Sequence, residues 1–281
     1  LAKSWTAKSL KAELFMGVEC GVPVVLINQE RFHEIDRIVI GQSFALQNEM
    51  GRFFDERIYQ KALSMHCSDL GMNVQREVLL RISHRHFQKD YFLDFLVENS
   101  AVFELKAVDG LNSSHQRQLL NYLHLLNLQH GKLINFRPAS VESRFVSTQL
   151  TKEKRLAFTI DKNKWEDELE ASEVLSVALQ GLLDDWGVFL DSNLYREALL
   201  HLTAEVSPGL QEVEIVSSGR TIGIQKMCLL APDIAWHLSA HHEHLDSYEI
   251  HMRRLLTHTN LSAIHWINMN KHQVILKTLK K

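Results

Sequence analysis

Cysteine is scarce: there are three in 281 residues, at positions 20, 67 and 228, with no CxxC spacing. That argues against a disulfide framework and fits a reduced cytoplasm. Long apolar runs are also missing. The longest mostly apolar stretch, 15–27, is interrupted by Glu19 and falls short of the ~20 residues a membrane helix needs. A secretory pattern of charged start, apolar run and small-residue cleavage site is absent. Because the chain starts on Leu1, it is expected to be trimmed from a longer one. No global basic excess advertises nucleic-acid binding, since the net charge is -3. Residues 1–150 hold 17 Lys+Arg against 16 Asp+Glu, and residues 151–281 hold 14 against 18. A polyanion site would need a local basic groove, expected in the first half.

What is present is most informative at 91–108, YFLDFLVENSAVFELKAV. It reads as two strands joined at Glu98-Asn99-Ser100, an antiparallel hairpin. Phe95 then faces Phe103, Val97 faces Ala101 and Asp94 faces Glu104. Lys106 shares a face with both carboxylates, while Leu93, Phe95, Val97, Ala101, Phe103 and Leu105 form an apolar face. Like charges placed opposite each other destabilise a sheet. Two carboxylates there imply a cation between them, and oxygen ligands of this kind suit Mg²⁺ or Mn²⁺. The competing reading is a structural ion-pair cluster.

The length suits two domains at ~100–200 residues each, and the chain carries a faint repeat. Gly51-Arg-Phe-Phe-Asp-Glu-Arg-Ile-Tyr59 resembles Gly187-Val-Phe-Leu-Asp-Ser-Asn-Leu-Tyr195. Asn127-Leu128 and Ile134-Asn135 reappear as Asn260-Leu261 and Ile267-Asn268. Ile27-Asn28 and Phe32 are matched to Ile160-Asp161 and Trp165. The predicted organisation is an extension over 1–21, one copy over 22–150 and a second over 155–281. In copy one a strand is predicted near Val24–Ile27. A long helical region follows, with Phe44, Leu46, Met50, Phe54, Ile58 and Leu63 at helical spacing. Next come a strand at 74–82, the hairpin, a helix at 114–126, and strands at 132–136 and 144–148. Copy two is predicted to follow the same order.

Copy one resembles the GxxExxY family of the PD-(D/E)XK nuclease-like superfamily. The residues that carry the likeness are Gly51, Glu56, Tyr59, Lys61-Ala-Leu63, Tyr91, Asp94-Phe-Leu-Val97 and Glu104-Leu-Lys-Ala-Val108. His115, Gln118-Leu-Leu-Asn-Tyr-Leu123 and Ile134-Asn-Phe136 complete the set, which spans about 45–150. Phe53, Phe92 and Arg137 depart from it, standing where the family has Gly, Arg and Gly. The resemblance implies an α+β (α/β-like) fold of two tandem units, each a mixed central sheet flanked by helices, with a divalent-metal phosphodiesterase site.

In that site Asp94 and Glu104 would hold Mg²⁺ or Mn²⁺, with the Leu105 carbonyl as a third ligand and Glu56 as an outer-sphere or second-metal ligand. Lys106 would orient or deprotonate the attacking water, or stabilise the pentacovalent state. Gln118 and His115 share a helix face from which they would hold substrate or a ligand water; His115 reads rather as a helix-start or outer residue, and Tyr59 and Tyr122 as core aromatics with a tethered hydroxyl. In copy two Asp94 becomes Met227, Glu104 His237, Lys106 Ser239, Gln118 His251 and Glu56 Ser192, so that copy would be a non-catalytic partner making a pseudo-dimer within one chain. Its histidines, His237, His241, His242, His244 and His251, read as surface residues rather than a zinc site. The expected activity is a metal-dependent nuclease acting on nucleic acid, DNA ahead of RNA, in the cytoplasm with no membrane contact. The alternative is an inactive nuclease-fold module that binds nucleic acid or regulates.

Overall fold

The hairpin at the centre of the chain forms as its alternation dictates. In the computed structural model, which describes residues 17–167 and 169–281, Phe95 pairs with Phe103, Leu96 with Val102 and Val97 with Ala101. Glu98 and Asn99 both take positive φ, 54° and 53°, and the Ser100 N–H closes the turn on the Val97 carbonyl at 3.0 Å. Such left-handed turn residues match the twist of the flanking strands.

Two units make up the chain, residues 1–83 with 88–152, and residues 84–87 with 153–281. Unit 1 contains β1 (Val18–Cys20), α1 (Gln29–Met50), α2 (Glu56–Asp69), β2 (Val74–His84), β3 (Phe87–Val97), β4 (Ala101–Lys106), α3 (Ser113–Leu125), β5 (His130–Asn135) and β6 (Glu142–Ser147). The sheet runs β1-β2-β3-β4-β5-β6, with β4 and β5 parallel and β1–β2, β3–β4 and β5–β6 antiparallel. Phe32, Ile35, Val39 and Leu46 of α1 and Tyr59, Leu63 and Cys67 of α2 pack on Phe95, Phe103, Leu105 and Ile134 of the sheet. The strand expected at Val24–Ile27 is not a regular strand; β1, whose residues fall in the stretch read as an extension, supplies the edge instead. The rest of that stretch, 1–16, lies outside the described residues.

The long helical region is two helices. Gly51 breaks it with φ 77° and ψ -161°, a region essentially reserved for glycine. The helical phase restarts after the break, so Phe54 and Ile58, read at the same helical spacing, are 40 % and 43 % exposed; Phe44, ahead of the break in α1, is 41 % exposed.

Unit 2 contains α4 (Lys152–Leu156), β7 (Thr159–Lys164), α5 (Glu170–Trp186), α6 (Ser192–Leu202), β8 (Gly209–Ser217), β9 (Arg220–Ala231), β10 (Ile234–Ser239), α7 (Leu245–Thr257), β11 (Ala263–Asn270) and β12 (Gln273–Lys280). Its sheet order is β7-β12-β11-β10-β9-β8. From α5 onward the element order and the strand pairings reproduce those from α1 onward in unit 1. The fold class expected from the sequence, two mixed sheets flanked by helices, is the one observed.

Local devices recur as well. Tyr59 OH donates to the Gly51 carbonyl at 2.8 Å, and Tyr195 OH donates to the Gly187 carbonyl at 2.5 Å. Asn135 accepts from the Val108 N–H and donates to its carbonyl; Asn268 does the same to His241. Lys106 pairs with Asn135 across β4–β5, and Ser239 with Asn268 across β10–β11. The Asp36–Lys132 ion pair between α1 and β5 has its counterpart in a Ser172–His265 contact of 3.1 Å between α5 and β11. The proposed match of Phe32 to Trp165 does not hold, because Phe32 lies in α1 and Trp165 lies ahead of α5. Among the described residues no helix is long and apolar enough to cross a membrane.

Candidate active site

Three elements of unit 1 bring charge to one point. β4 supplies Glu104 and Lys106, two residues apart and therefore on one face. β3 supplies Asp94. The first residue of α2 is Glu56, a favoured place for a carboxylate at the positive end of a helix. The Lys106 Nζ lies 2.6 Å from Glu104 Oε1, 3.6 Å from Asp94 Oδ2 and 3.9 Å from Glu56 Oε2. Asp94 also accepts a 2.9 Å hydrogen bond from the Leu105 N–H. Thus the three acids and the lysine meet as expected, and Leu105 contributes its amide to Asp94.

The setting is dry. Glu104 is fully buried and Lys106 is 9 % exposed. Burial, with Asp94 alongside, pushes the Glu104 carboxyl up to about 8. Burial also raises Asp94 and Glu56, against the pull of Lys106. For Lys106, burial alone would favour the neutral amine, but Glu104, Asp94 and Glu56 outweigh it and hold the group above the ordinary lysine range. The ammonium therefore stays charged at neutral pH.

α3 closes the site. Asn112 caps it by accepting from the Ser114 and His115 N–H groups, and His115 Nδ1 accepts from the Asn112 N–H. That capping box fixes His115 as a helix-start residue. Gln118 Nε2 donates to Tyr122 OH at 3.1 Å rather than to the acid cluster. Tyr122 is buried, as a core aromatic should be, and its hydroxyl is tethered by Gln118. Burial and the neighbouring Glu104 push its hydroxyl up to about 12, which keeps it a neutral donor. Its place one helical turn after Gln118 was the only available signal.

The donor set fits a divalent cation. Three carboxylates against one ammonium leave an excess of two negative charges when all are ionised, and Glu104 Oε2 is buried with no hydrogen-bond partner. A buried acceptor without a partner is costly. Among the described residues no group of three or more His, Cys, Asp or Glu side chains stands ready to hold a metal, so a ligand set built on Asp94 and Glu104 would need further oxygen donors.

Residues 33–146 match a family model described as the PD-(D/E)XK nuclease superfamily. The matched span runs from α1 to β6 and includes Glu56, Asp94, Glu104, Lys106 and Gln118. Nucleases of this superfamily generally use divalent metals, and nucleic acid is their general partner. No curated protein and no solved structure matches the chain.

Proposed function

We propose that unit 1 is a divalent-metal-dependent phosphodiesterase acting on nucleic acid, DNA ahead of RNA. The observation that carries this reading is the convergence of Asp94 and Glu104, from neighbouring strands, on one buried ammonium, with Glu104 Oε2 left without a partner. Asp94 and Glu104 hold Mg²⁺ or Mn²⁺, with the Leu105 carbonyl and Glu56 as further oxygen donors. The ion supplies a more acidic water and neutralises charge at the phosphate. Lys106, kept protonated by its neighbours, donates to a non-bridging phosphate oxygen and stabilises the charge that builds there. It is therefore not the base. Glu56, one-third exposed at the rim and raised above the ordinary carboxylate range, accepts the proton of the attacking water. Gln118 and Tyr122 present neutral donors to the substrate. The new oxygen–phosphorus bond forms as the bond to the 3′ oxygen breaks, leaving a 5′-phosphate and a 3′-hydroxyl.

We read unit 2 as a degenerate copy of unit 1, making the chain a pseudo-dimer. The shared β4–β5 and β10–β11 register, the two asparagine clamps and the two tyrosine–glycine bonds support it. Met227, His237, Ser239, His251 and Ser192 stand where unit 1 has its acid set, and Met is no ligand for a hard ion. The free thiols of Cys20, Cys67 and Cys228 favour a cytoplasmic location. The test is cleavage of DNA and RNA with Mn²⁺ by the parent chain, Asp94→Ala and Lys106→Ala. Cleavage by the parent alone supports the enzyme. Binding with no cleavage by any of the three supports an inactive nuclease-fold module instead.

A further inference from the structure

Unit 2 carries basic groups at the sheet position where unit 1 has its acids. Under the register shared by the two parallel strand pairs, Glu104 corresponds to His237 and Lys106 to Ser239, and the clamped Val108 corresponds to His241. His237 Nε2 lies 2.6 Å from the Tyr248 hydroxyl. The His241 and Tyr248 rings are 4.2 Å apart, and Tyr248 is 5.4 Å from the Trp266 ring. Beneath them Trp266 Nε1 donates to Ser239 Oγ at 2.8 Å, and Ser239 Oγ donates to Asn268 Oδ1 at 2.7 Å. The floor is fixed by this chain of buried polar bonds; His241 is exposed, and His237 reaches solvent although its ring is largely surrounded by its neighbours.

Arg196, exposed on α6, is a third basic group, and its charge acts on His237. Among the described residues it forms no hydrogen bond or ion pair, and no carboxylate pairs with His237 or His241. Burial, then His241 and Arg196, hold His237 below the ordinary imidazole range. Three basic groups with no acid between them are the chemical inverse of the unit 1 cluster. Among the described residues these histidines do not assemble a metal-binding group of three.

We propose that this face of unit 2 is an anion site, taking one phosphate of a nucleic-acid backbone between Arg196, His237 and His241, with the Tyr248 hydroxyl as a fourth donor. Naming nucleic acid as the polymer rests on the reading of unit 1; the preference for an anion does not. A guanidinium offers parallel N–H donors matched to phosphate oxygens. The groups that face His237 are Arg196 from α6, His241 from the loop after β10 and Tyr248 from α7, and Tyr248 is raised by burial and stays neutral. A bound phosphate therefore favours imidazolium at His237, and binding takes up a proton.

The test uses the full chain in chelator with a fluorescent single strand of about 20 nucleotides, read by anisotropy at about pH 6 and about pH 7.5 across a salt series. The parent binds more tightly at the lower pH. Arg196→Ala with His241→Ala weakens binding at least about tenfold and reduces the slope of log affinity against log salt by about one to two. His237→Gln, which keeps a hydrogen-bonding partner for Tyr248, weakens binding at the lower pH with an unchanged circular dichroism spectrum. Imidazole NMR signals of His237 and His241 shift on titration with inorganic phosphate. Unchanged affinity and salt slope in the double variant overturn the proposal. A response to inorganic phosphate with none to the oligonucleotide overturns the assignment of the polymer. Mn²⁺ binding to unit 1, measured by calorimetry on the same preparations, keeps failure of the nuclease reading distinguishable from failure of this one.

Discussion

Replacing Glu104 with glutamine, in buffer that contains chelator, isolates the energetics of the acid cluster. The folded chain raises the Glu104 carboxyl from 4.5 to about 8, chiefly by burial. Between those values the folded chain keeps a proton that the unfolded chain has released. Unfolding then releases a proton, so stability falls as pH rises from about 4.5 to about 8 and is flat above that. At about 1.4 kcal/mol per pH unit, the ceiling is about 5 kcal/mol, of which about 3 kcal/mol lies above pH 5.5. Coupling to Asp94 and Lys106 spreads the titration, and ~2–4 kcal/mol is the expected size. Glutamine carries no such proton. Comparing the two chains cancels groups elsewhere, such as His265, which burial holds down at about 4 and which therefore adds stability as pH rises through its ordinary range. Urea unfolding at about pH 5.5 and about pH 8.5 should show the parent losing ~2–4 kcal/mol relative to Glu104→Gln. Amide exchange across 101–106 should place the loss in β4. Mn²⁺ should restore the parent at the higher pH and leave the variant unmoved. Parallel pH curves for the two chains would refute the reasoning.

Other outcomes follow from the same geometry. Lys106→Met removes an ammonium that competes with a metal for the same carboxylates, so calorimetry should show tighter Mn²⁺ binding together with lost cleavage. Asn135→Ala and Asn268→Ala each strip a part-buried backbone N–H and C=O of their partner, and each should cost about 1–3 kcal/mol in denaturant unfolding. Gly187→Ala would bring a Cβ to 2.7 Å from the Arg155 carbonyl oxygen, whereas Gly51→Ala meets open space at a similar φ. Thermal melts should therefore show the former as more damaging by about 1–3 kcal/mol. A thiol reagent should label Cys20 in the native chain first, because Cys67 is fully buried and its thiol is pushed up to about 11.

Much of unit 1 was legible because its hairpin obeys a two-residue period. Phe95 opposite Phe103 and the polar set of Asp94, Glu104 and Lys106 are direct consequences of that alternation. Alternation alone did not reveal that Asp94 would capture the Leu105 N–H, because that depends on how the strands twist beyond the paired residues. The helix break at Gly51 shifts the phase of everything after it, which put Phe54 and Ile58 on the wrong side, whereas Phe44, ahead of the break, is simply on an exposed part of α1. β7, sequence TIDKNK, has almost no apolar signature because it is an exposed edge strand, held by backbone bonds to β12. Gln118 and Tyr122 were both visible on α3, but only coordinates show that they bond to each other.

The leading strand of each unit joins a different edge: β1 lies against β2, whereas β7 lies against β12. β2 is thereby shielded over part of its length by a neighbour, while β8, which holds the matching place, ends its sheet among the described residues and is covered only near Val216, whose N–H donates to the His258 carbonyl. The uncovered part of such an edge invites a foreign strand to zip onto it. Glu212 and Glu214 punctuate the exposed row, so a second copy approaching in the same manner would bring like charge against like, and self-association along this border is discouraged by the chain's own side chains.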